Sequence, residues 1–160
     1  MWAVTPNAYG VTASPGNGSA YFVDLTGQAN NKPYGGIEQT IATTPGATYT
    51  LTFALGSSTS YNGTGLNAAA LTASATGSSL LASQLFALVA TSTNTWATES
   101  LSFTADSTST TIEFLADSAY TSQYVGLDNV SVAAVPLPAS LGMMLLGLGC
   151  FGAAVRARSS

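Results

Sequence analysis

The sequence contains no histidine, a single cysteine (Cys150) and only three basic residues, against seven acidic ones. Without histidine the chain cannot build a Ser-His-Asp or Cys-His catalytic set or a histidine-based zinc site, and one cysteine cannot form an internal disulfide. Charged residues make up 6% of the 160 residues, whereas soluble domains carry about 25%. These shortages exclude most classes of enzyme.

The few charges are unevenly distributed. Two of the three basic residues, Arg156 and Arg158, stand within the last five positions, so residues 1–135 hold only Lys32 against all seven acidic residues. This part of the chain therefore carries a net charge of −6. Such an acidic body repels phosphate backbones, and we expect no nucleic acid partner.

The C-terminal segment contains the longest apolar run. Residues 137–155 carry no charge and lie between Pro136 and Arg156. About 20 apolar residues at a rise of 1.5 Å each cross the hydrocarbon of a bilayer, so we predict a transmembrane helix at about 139–155. By the positive-inside tendency, Arg156 and Arg158 stay in the cytoplasm and the body lies outside. A buried core helix is the alternative, but this helix is apolar on every face.

This tail resembles the PEP-CTERM protein-sorting signal in its VPLPA form. The proline motif comprises Val135, Pro136, Leu137, Pro138 and Ala139, and a Gly- and Leu-rich stretch and a short Arg tail follow it. The resemblance implies export from a Gram-negative cell, an inner-membrane stage, processing by an exosortase, and delivery to the cell surface or the extracellular polysaccharide matrix. Leu137 stands where the commonest motif has Glu, which leaves the sortase subtype open. A type I single-span anchor is the alternative.

The N-terminus does not supply the export signal that this tail requires. The first ten residues, MWAVTPNAYG, have neither a basic n-region nor an apolar h-region. We therefore expect Met1 to be an internal or misassigned start, with the signal peptide and the first strand of the domain missing. A cytosolic tail-anchored protein is the alternative.

Residues 1–134 show the pattern of an all-β domain. From Thr48 to Leu55 large apolar side chains alternate without interruption with threonines and Ala54, which is typical of a half-buried strand. Further strands are predicted at 20–25, 37–43, 68–75, 81–89, 98–105, 110–116 and 126–133. We predict an antiparallel two-sheet β-sandwich or jelly roll, followed by the sorting segment at 135–160. Pro45-Gly46 permits a hairpin between strands 37–43 and 48–55, and residues 78–90 fit a helix as an alternative.

This body resembles the galactose-binding-like jelly rolls found upstream of PEP-CTERM tails in exported proteins of unassigned function. The matching pieces are Trp2, residues 19–27, residues 36–40 leading to 44–49, Trp96 before 103–105, and residues 126–132. The resemblance implies association with carbohydrate or cell wall rather than catalysis, and it leaves the ligand open.

Aromatic and amide residues in the predicted loops are the candidates for sugar binding. Aromatic faces pack against the C–H surfaces of sugars, and amides bond to ring hydroxyls. The candidates are Tyr34, Tyr61, Tyr120, Tyr124, Asn62 and Gln123. The alternative is that each tyrosine closes one end of the sandwich and bonds a backbone carbonyl. Trp2 and Trp96 start strands in positions that suggest core or rim packing, with sugar binding as the alternative.

Acidic residues support two weaker hypotheses. Asp128 with Asn129 suggests a structural calcium site, although such side chains commonly satisfy loop N–H groups. No other cofactor is expected. A glycoside hydrolase would need a pair of carboxylates, and nothing singles out one pair among Asp24, Glu38, Glu99, Asp106, Glu113, Asp117 and Asp128.

We therefore expect a noncatalytic module associated with carbohydrate or exopolysaccharide. A purely structural surface protein is the first alternative and a hydrolase the weaker one.

Overall fold

The structure is a computed structural model, and it describes residues 3–4, 11–13, 21–26, 35–58, 68–92, 94–117 and 124–136. This part of the chain consists of β-strands and the turns between them. The strands are β1 (Ala3–Val4), β2 (Val11–Ala13), β3 (Tyr21–Asp24), β4 (Gly36–Ala42), β5 (Thr48–Ser57), β6 (Ala68–Thr76), β7 (Leu80–Val89), β8 (Thr95–Thr104), β9 (Ser109–Ala116) and β10 (Gly126–Ala134). No helix occurs within these ranges.

The strands form two five-stranded sheets. Sheet A has the order β1-β4-β9-β6-β7, and sheet B has the order β2-β3-β10-β5-β8. Neighbouring strands pair antiparallel in both sheets. The predicted all-β fold with two antiparallel sheets is therefore confirmed. All eight predicted strands are present, and the largest difference in their bounds is the start of β8, which begins at Thr95 rather than at residue 98.

The core lies between the two sheets and is built by the predicted alternation. In β5, Leu51, Phe53 and Leu55 are buried, whereas the hydroxyl residues between them point to the outer face of sheet B. Phe53 packs edge-on against Phe86 and Phe114 of sheet A, with ring centroids 5.1 and 4.9 Å apart. These aromatic contacts join the two sheets at the centre of the domain.

The predicted hairpin between strands β4 and β5 is wrong. The two strands lie in different sheets, because β4 pairs with β1 and β9 while β5 pairs with β8 and β10. The Pro45-Gly46 turn does form, with Gly46 at a φ of 82°, but it serves as a crossover. Its Gly46 N–H donates to the Ala105 carbonyl, and the Ala105 N–H donates to the Ala47 carbonyl. These bonds hold the turn against the end of β8 while the chain passes to the other sheet.

The helical alternative for residues 78–90 is also wrong. Residues 80–89 form edge strand β7, which pairs with β6 from Ala68↔Val89 to Ala75↔Ala82. Phe86 faces the core, and Leu85 points outward with 46% of its surface exposed. The backbone pairing offered by β6 therefore overrides the helical spacing of the leucines.

The antiparallel order places the strand connections at two opposite ends. One end, here called the loop end, carries the β7–β8 turn and the residues that flank segments 27–34, 59–67 and 118–123. Those flanking residues are Thr26, Gly35, Ser58, Ala68, Asp117 and Tyr124. The opposite end, the turn end, carries the turns after β4, β6 and β8, and it is also where β10 stops. At the turn end the Val135 N–H donates to the Thr48 carbonyl at 2.8 Å.

The predicted C-terminal elements fall almost entirely outside the described residues. Val135 and Pro136 are described and exposed. Leu137, Pro138, Ala139, Arg156, Arg158 and the helix predicted at 139–155 lie outside the described ranges, as does Trp2. Within those ranges, no helix has the length and apolar character needed to span a membrane. The sorting segment and the domain boundaries stay predictions.

Candidate functional site

Three aromatic side chains meet on the outer face of sheet B at the loop end. Phe22 and Trp96 lie edge-to-face with ring centroids 5.3 Å apart, and Phe22 and Tyr124 lie 4.9 Å apart. The Trp96 and Tyr124 centroids are 6.4 Å apart. Phe22 is buried, whereas Trp96 and Tyr124 are partly exposed. We call these three residues the aromatic cluster.

Two glycines allow the Trp96 ring to lie on the sheet. Trp96 pairs with Gly56, and Gly56 pairs with Gly126, so the three residues form one row across β8, β5 and β10. A Cβ at Gly56 would lie 2.6 Å from Trp96 Cη2, and one at Gly126 would lie 2.8 Å from the same atom. Because Leu55 and Leu127 beside these glycines face the core, the glycines face outward. They form the floor beneath the indole ring.

The Tyr124 hydroxyl is already hydrogen-bonded within the protein. It lies 3.1 Å from both the Ser57 carbonyl oxygen and Asn94 Oδ1, and its single proton serves one acceptor at a time. Burial raises the pKa of Tyr124 to about 12, and the nearby negative charge of Asp24 adds to the effect. The phenol is therefore a hydrogen-bond donor at neutral pH. What Tyr124 can offer a ligand is its ring.

Asp24 fastens the two chain segments beside the aromatic cluster. Its Oδ1 accepts hydrogen bonds from Thr26 N at 2.9 Å, from Thr26 Oγ1 at 2.8 Å and from Val125 N at 3.4 Å. These bonds join the end of β3 to the start of β10. Burial raises the pKa of Asp24, and the hydrogen bonds from Thr26 and Val125 oppose that shift.

Trp96 introduces a buried polar atom into this apolar cluster. In the described part of the chain, Trp96 Nε1 is buried and has no hydrogen-bond partner. Leaving a buried donor unpaired costs about 1–3 kcal/mol. Because this nitrogen is buried, what Trp96 can offer a ligand is the exposed part of its ring.

Most of the sequence-predicted site residues lie outside the described ranges: Tyr34, Tyr61, Asn62, Tyr120 and Gln123. The segments that contain them begin and end at described residues of the loop end, where the aromatic cluster also lies. Tyr124 is the one candidate that the structure describes.

The sequence interpretation missed Phe22, Asp24 and Asn94 as parts of this site, and it gave Trp96 a role in the core or rim. A signal for the site was present in the sequence. Gly56 lies inside β5 and Gly126 begins β10, and glycine in a strand often marks a close approach of another group.

Asp128 takes part in a local backbone arrangement. Its Oδ1 accepts a hydrogen bond from Asn129 N at 2.7 Å, and Asn129 has a φ of 51°. The residues sit at the register shift between Asp128 and Ser131. Among the described residues, no group of three or more His, Cys, Asp or Glu side chains could hold a metal ion. Calcium binding stays a prediction.

The topology brings together one pair of carboxylates, Glu38 and Glu113. They stand directly opposite each other on β4 and β9, and Ser74 Oγ lies 3.5 Å from Glu113 Oε2. The pair lies on the outer face of sheet A, whereas the aromatic cluster lies on the outer face of sheet B. These carboxylates and the aromatic rings therefore cannot contact the same sugar, so the pairing gives the hydrolase hypothesis no support.

The Glu38/Glu113 pair leads to a stability prediction. Like charges directly opposite each other on antiparallel strands are unfavourable, so we expect Glu38→Lys to raise the free energy of unfolding by about 0.5–1 kcal/mol. Urea denaturation at low salt measures the gain, and Glu38→Gln should give a smaller one. Both gains should shrink in about 1 M salt because the charges are then screened. A gain that persists unchanged in high salt would rule out charge repulsion as its cause.

Residues 10–133 match the sequence profile of a family described as "Protein of unknown function (DUF642)". No curated protein matches the chain.

Several solved structures share the fold. The CBM22-1 xylan-binding domain from Paenibacillus barcinonensis Xyn10C aligns with a TM-score of 0.57 at 12% identity, covering 86% of this chain and 87% of that one. A CBM4 structure aligns with a TM-score of 0.53 at 16% identity, covering 84% and 86%. The CBM22-1-GH10 modules of xylanase 10B from Clostridium thermocellum, complexed with xylohexaose, align with a TM-score of 0.57 at 16% identity. That match covers 86% of this chain but only 26% of the xylanase chain. At these identities the likeness shows the fold.

Proposed function

The chain belongs to the DUF642 family, a family of proteins of unknown function, and we propose that its β-sandwich is a noncatalytic carbohydrate-binding module. In this proposal a neutral glycan binds at the aromatic cluster of Phe22, Trp96 and Tyr124. The observation that carries it is the position of Trp96, on the outer face of sheet B over a floor of two glycines.

The chemistry of the cluster suits a sugar. Indole and phenol rings present apolar faces for sugar C–H groups, and polar groups around them fix the orientation of the bound molecule. Asn94 and Asp24 supply polar atoms close to the rings. The acidic Asp24 beside the cluster disfavours anionic ligands, so the proposal specifies a neutral one.

The shared fold adds support of a more general kind. Among the solved structures similar to this chain are a xylan-binding domain and the CBM22-1-GH10 modules of a xylanase complexed with xylohexaose. Fold likeness alone does not assign function. In combination with the partly exposed rings of Trp96 and Tyr124 on one sheet face, it favours a carbohydrate ligand over other small molecules.

We further propose that the protein is exported and sorted by an exosortase to the cell surface or the extracellular polysaccharide matrix. This part depends on the resemblance of residues 135–160 to the PEP-CTERM signal. The fold is compatible with it, because the described chain stops at the turn end, opposite the aromatic cluster. Nine residues of β10 separate the two ends, a distance of roughly 27–30 Å at about 3.3 Å per residue. Recovery of the full-length gene product in the cytosol after cell fractionation would contradict the export proposal.

The binding proposal is tested with variants of the aromatic cluster. We expect the protein to bind at least one neutral polysaccharide on a glycan array or in extracted exopolysaccharide. Trp96→Ala and Tyr124→Ala should each weaken that binding about tenfold or more, since truncating a central aromatic residue commonly costs more than about 1 kcal/mol. Isothermal titration calorimetry with the glycan found on the array gives the affinities.

Tyr21→Ala is the matched control. Tyr21 is an aromatic residue of the same strand as Phe22, but it is 63% exposed and points to the opposite side of β3. Its truncation should leave the affinity unchanged, and circular dichroism shows whether each variant remains folded. Failure to bind any glycan would favour a purely structural surface protein. Turnover of a glycan that one carboxylate substitution abolishes would establish a hydrolase instead.

A further inference from the structure

The outer face of sheet B continues from the aromatic cluster towards the turn end as a surface of short hydroxyl side chains. Their neighbours along β5 and β8, such as Leu51 and Leu101, face the core, so the hydroxyl residues face outward. We call this surface the hydroxyl track. It comprises Thr48, Thr50, Thr52, Thr98, Ser100, Ser102, Thr104 and Ser131.

The hydroxyl track is open to solvent and carries no charge. Its members on β8 and β10 are exposed, and those on central strand β5 are partly exposed. The acidic side chains described on this face, Asp24 and Asp128, stand towards the loop end. The outer face of sheet A differs, because it carries Glu38 and Glu113 together with the exposed Leu85.

The strand register makes the track regular. Three cross-strand pairs follow one another, Thr52↔Ser100, Thr50↔Ser102 and Thr48↔Thr104, and the hydroxyls of the last pair lie 3.2 Å apart. Same-face residues along a strand are about 6.6 Å apart, and neighbouring strands are about 4.8 Å apart. From Gly56 beneath Trp96 to Thr48, the track therefore extends roughly 26 Å.

A depression of about 470 Å³ adjoins the far end of the track. Its lining includes Thr48, Ser102 and Thr104 of the track. Leu80 and Leu81 at the start of β7 form another part of its wall. The outer face thus offers an aromatic group at one end, hydroxyls along the middle and a partly apolar recess at the other end.

We infer that the ligand is an extended, neutral polysaccharide chain that lies along the hydroxyl track from Trp96 towards Thr104, rather than a single sugar or a chain end. This inference rests on the proposed function and deepens it. It assigns the track, in addition to the aromatic cluster, to the binding surface.

Three physical features favour this occupant. Each hydroxyl both donates and accepts hydrogen bonds, which matches the hydroxyls of a neutral sugar chain. An uncharged surface loses water on binding at far lower cost than a charged one. A polyanion would find no positive side chain along the described track, and it would be repelled by Asp24 and Asp128 at its loop end.

The test combines ligand length with a charge placed in the middle of the track. β-1,4-Linked xylo- and gluco-oligosaccharides from disaccharide to hexasaccharide are titrated into the full chain by calorimetry. We expect the affinity for one of the two series to rise about tenfold or more between disaccharide and hexasaccharide, and Ser102→Glu to weaken hexasaccharide binding about tenfold. The carboxylate would have to lose water beneath the chain without gaining a partner.

Ser83→Glu is the matched control, because Ser83 is an exposed strand serine on the outer face of sheet A. It should bind the hexasaccharide as the unmodified protein does. Ser100→Glu provides a second position on the track, and thermal unfolding verifies that all three variants fold.

The outcomes separate this inference from the proposed function. Binding that is lost in Trp96→Ala, yet equal for disaccharide and hexasaccharide and insensitive to both track variants, overturns the inference and leaves the aromatic site. Absence of binding to either series and to every array glycan overturns both.

Discussion

Asp24→Ala is expected to lower the free energy of unfolding by about 1–3 kcal/mol, because it leaves partly buried donors without their acceptor. One carboxylate oxygen accepts bonds from Thr26 N, Thr26 Oγ1 and Val125 N. Losing it removes one of the links between the end of β3 and the start of β10, which also pair through the backbone. Because Tyr124 precedes Val125 directly, we also expect the aromatic cluster to lose order. Urea denaturation measures the stability, and glycan titration measures the effect on the site.

Asp24→Asn is the matched control. Its Oδ1 can accept the same bonds without a charge, so this variant should retain most of the stability that Asp24→Ala loses. Equal destabilisation by the two substitutions would mean that the charge of Asp24, rather than its hydrogen bonds, holds the two segments together.

The unmodified protein and Asp24→Asn should also differ in how their stability depends on pH. Burial raises the pKa of Asp24 above the ordinary 3.8, so the folded state takes up a proton more readily than the unfolded state does. Relative to Asp24→Asn, the stability of the unmodified protein should therefore be highest below about pH 3.8 and fall as the pH rises through the folded-state pKa. A relative stability that instead rises over this range would show that the hydrogen bonds outweigh burial.

The pKa of Asp106 is shifted in the opposite direction, so both proteins in that comparison must retain this residue. Hydrogen bonds, chiefly from the Ser78 backbone, lower the pKa of Asp106. Its contribution to stability is present above its unfolded-state pKa and is lost as the pH falls through the folded-state value. Since both proteins in the Asp24 comparison retain Asp106, this contribution cancels.

Gly56→Ala is expected to displace the Trp96 ring from sheet B. The added Cβ would come within 2.6 to 2.8 Å of three atoms of the indole ring, which real Cβ contacts do not tolerate. We expect a loss of about 1–3 kcal/mol in the free energy of unfolding, as for other overpacked sites. The Trp96 fluorescence should shift towards that of exposed indole, and glycan binding should fall as in Trp96→Ala.

A double-mutant cycle tests whether the contact with Trp96 causes the loss of stability in Gly56→Ala. In the background of Trp96→Ala the ring is absent, so adding Gly56→Ala should cost much less stability than it does in the unmodified protein. Equal costs in the two backgrounds would show that Gly56 is required for its backbone rather than for its contact with Trp96.

The class of the domain and the positions of its strands follow from the sequence pattern alone. Alternation such as Leu51, Phe53, Leu55 against Thr48, Thr50, Thr52 depends only on the two-residue period of a strand with one buried face, so it can be read without knowing any partner strand. The absence of histidine and the scarcity of charge likewise restricted the chemistry before any fold was known.

The choice of neighbouring strands, and of the side chains that share a face, depends on how the whole chain packs. The Pro45-Gly46 turn is visible in the sequence, but whether it closes a hairpin or crosses between sheets depends on the pairing of β4 with β9 and of β5 with β8. In the row of Trp96, Gly56 and Gly126, the neighbouring residues are 40 and 70 positions apart in the chain. Strand register is a long-range property set by packing, so no local pattern could place the indole on its glycine floor or align the hydroxyl track beside it.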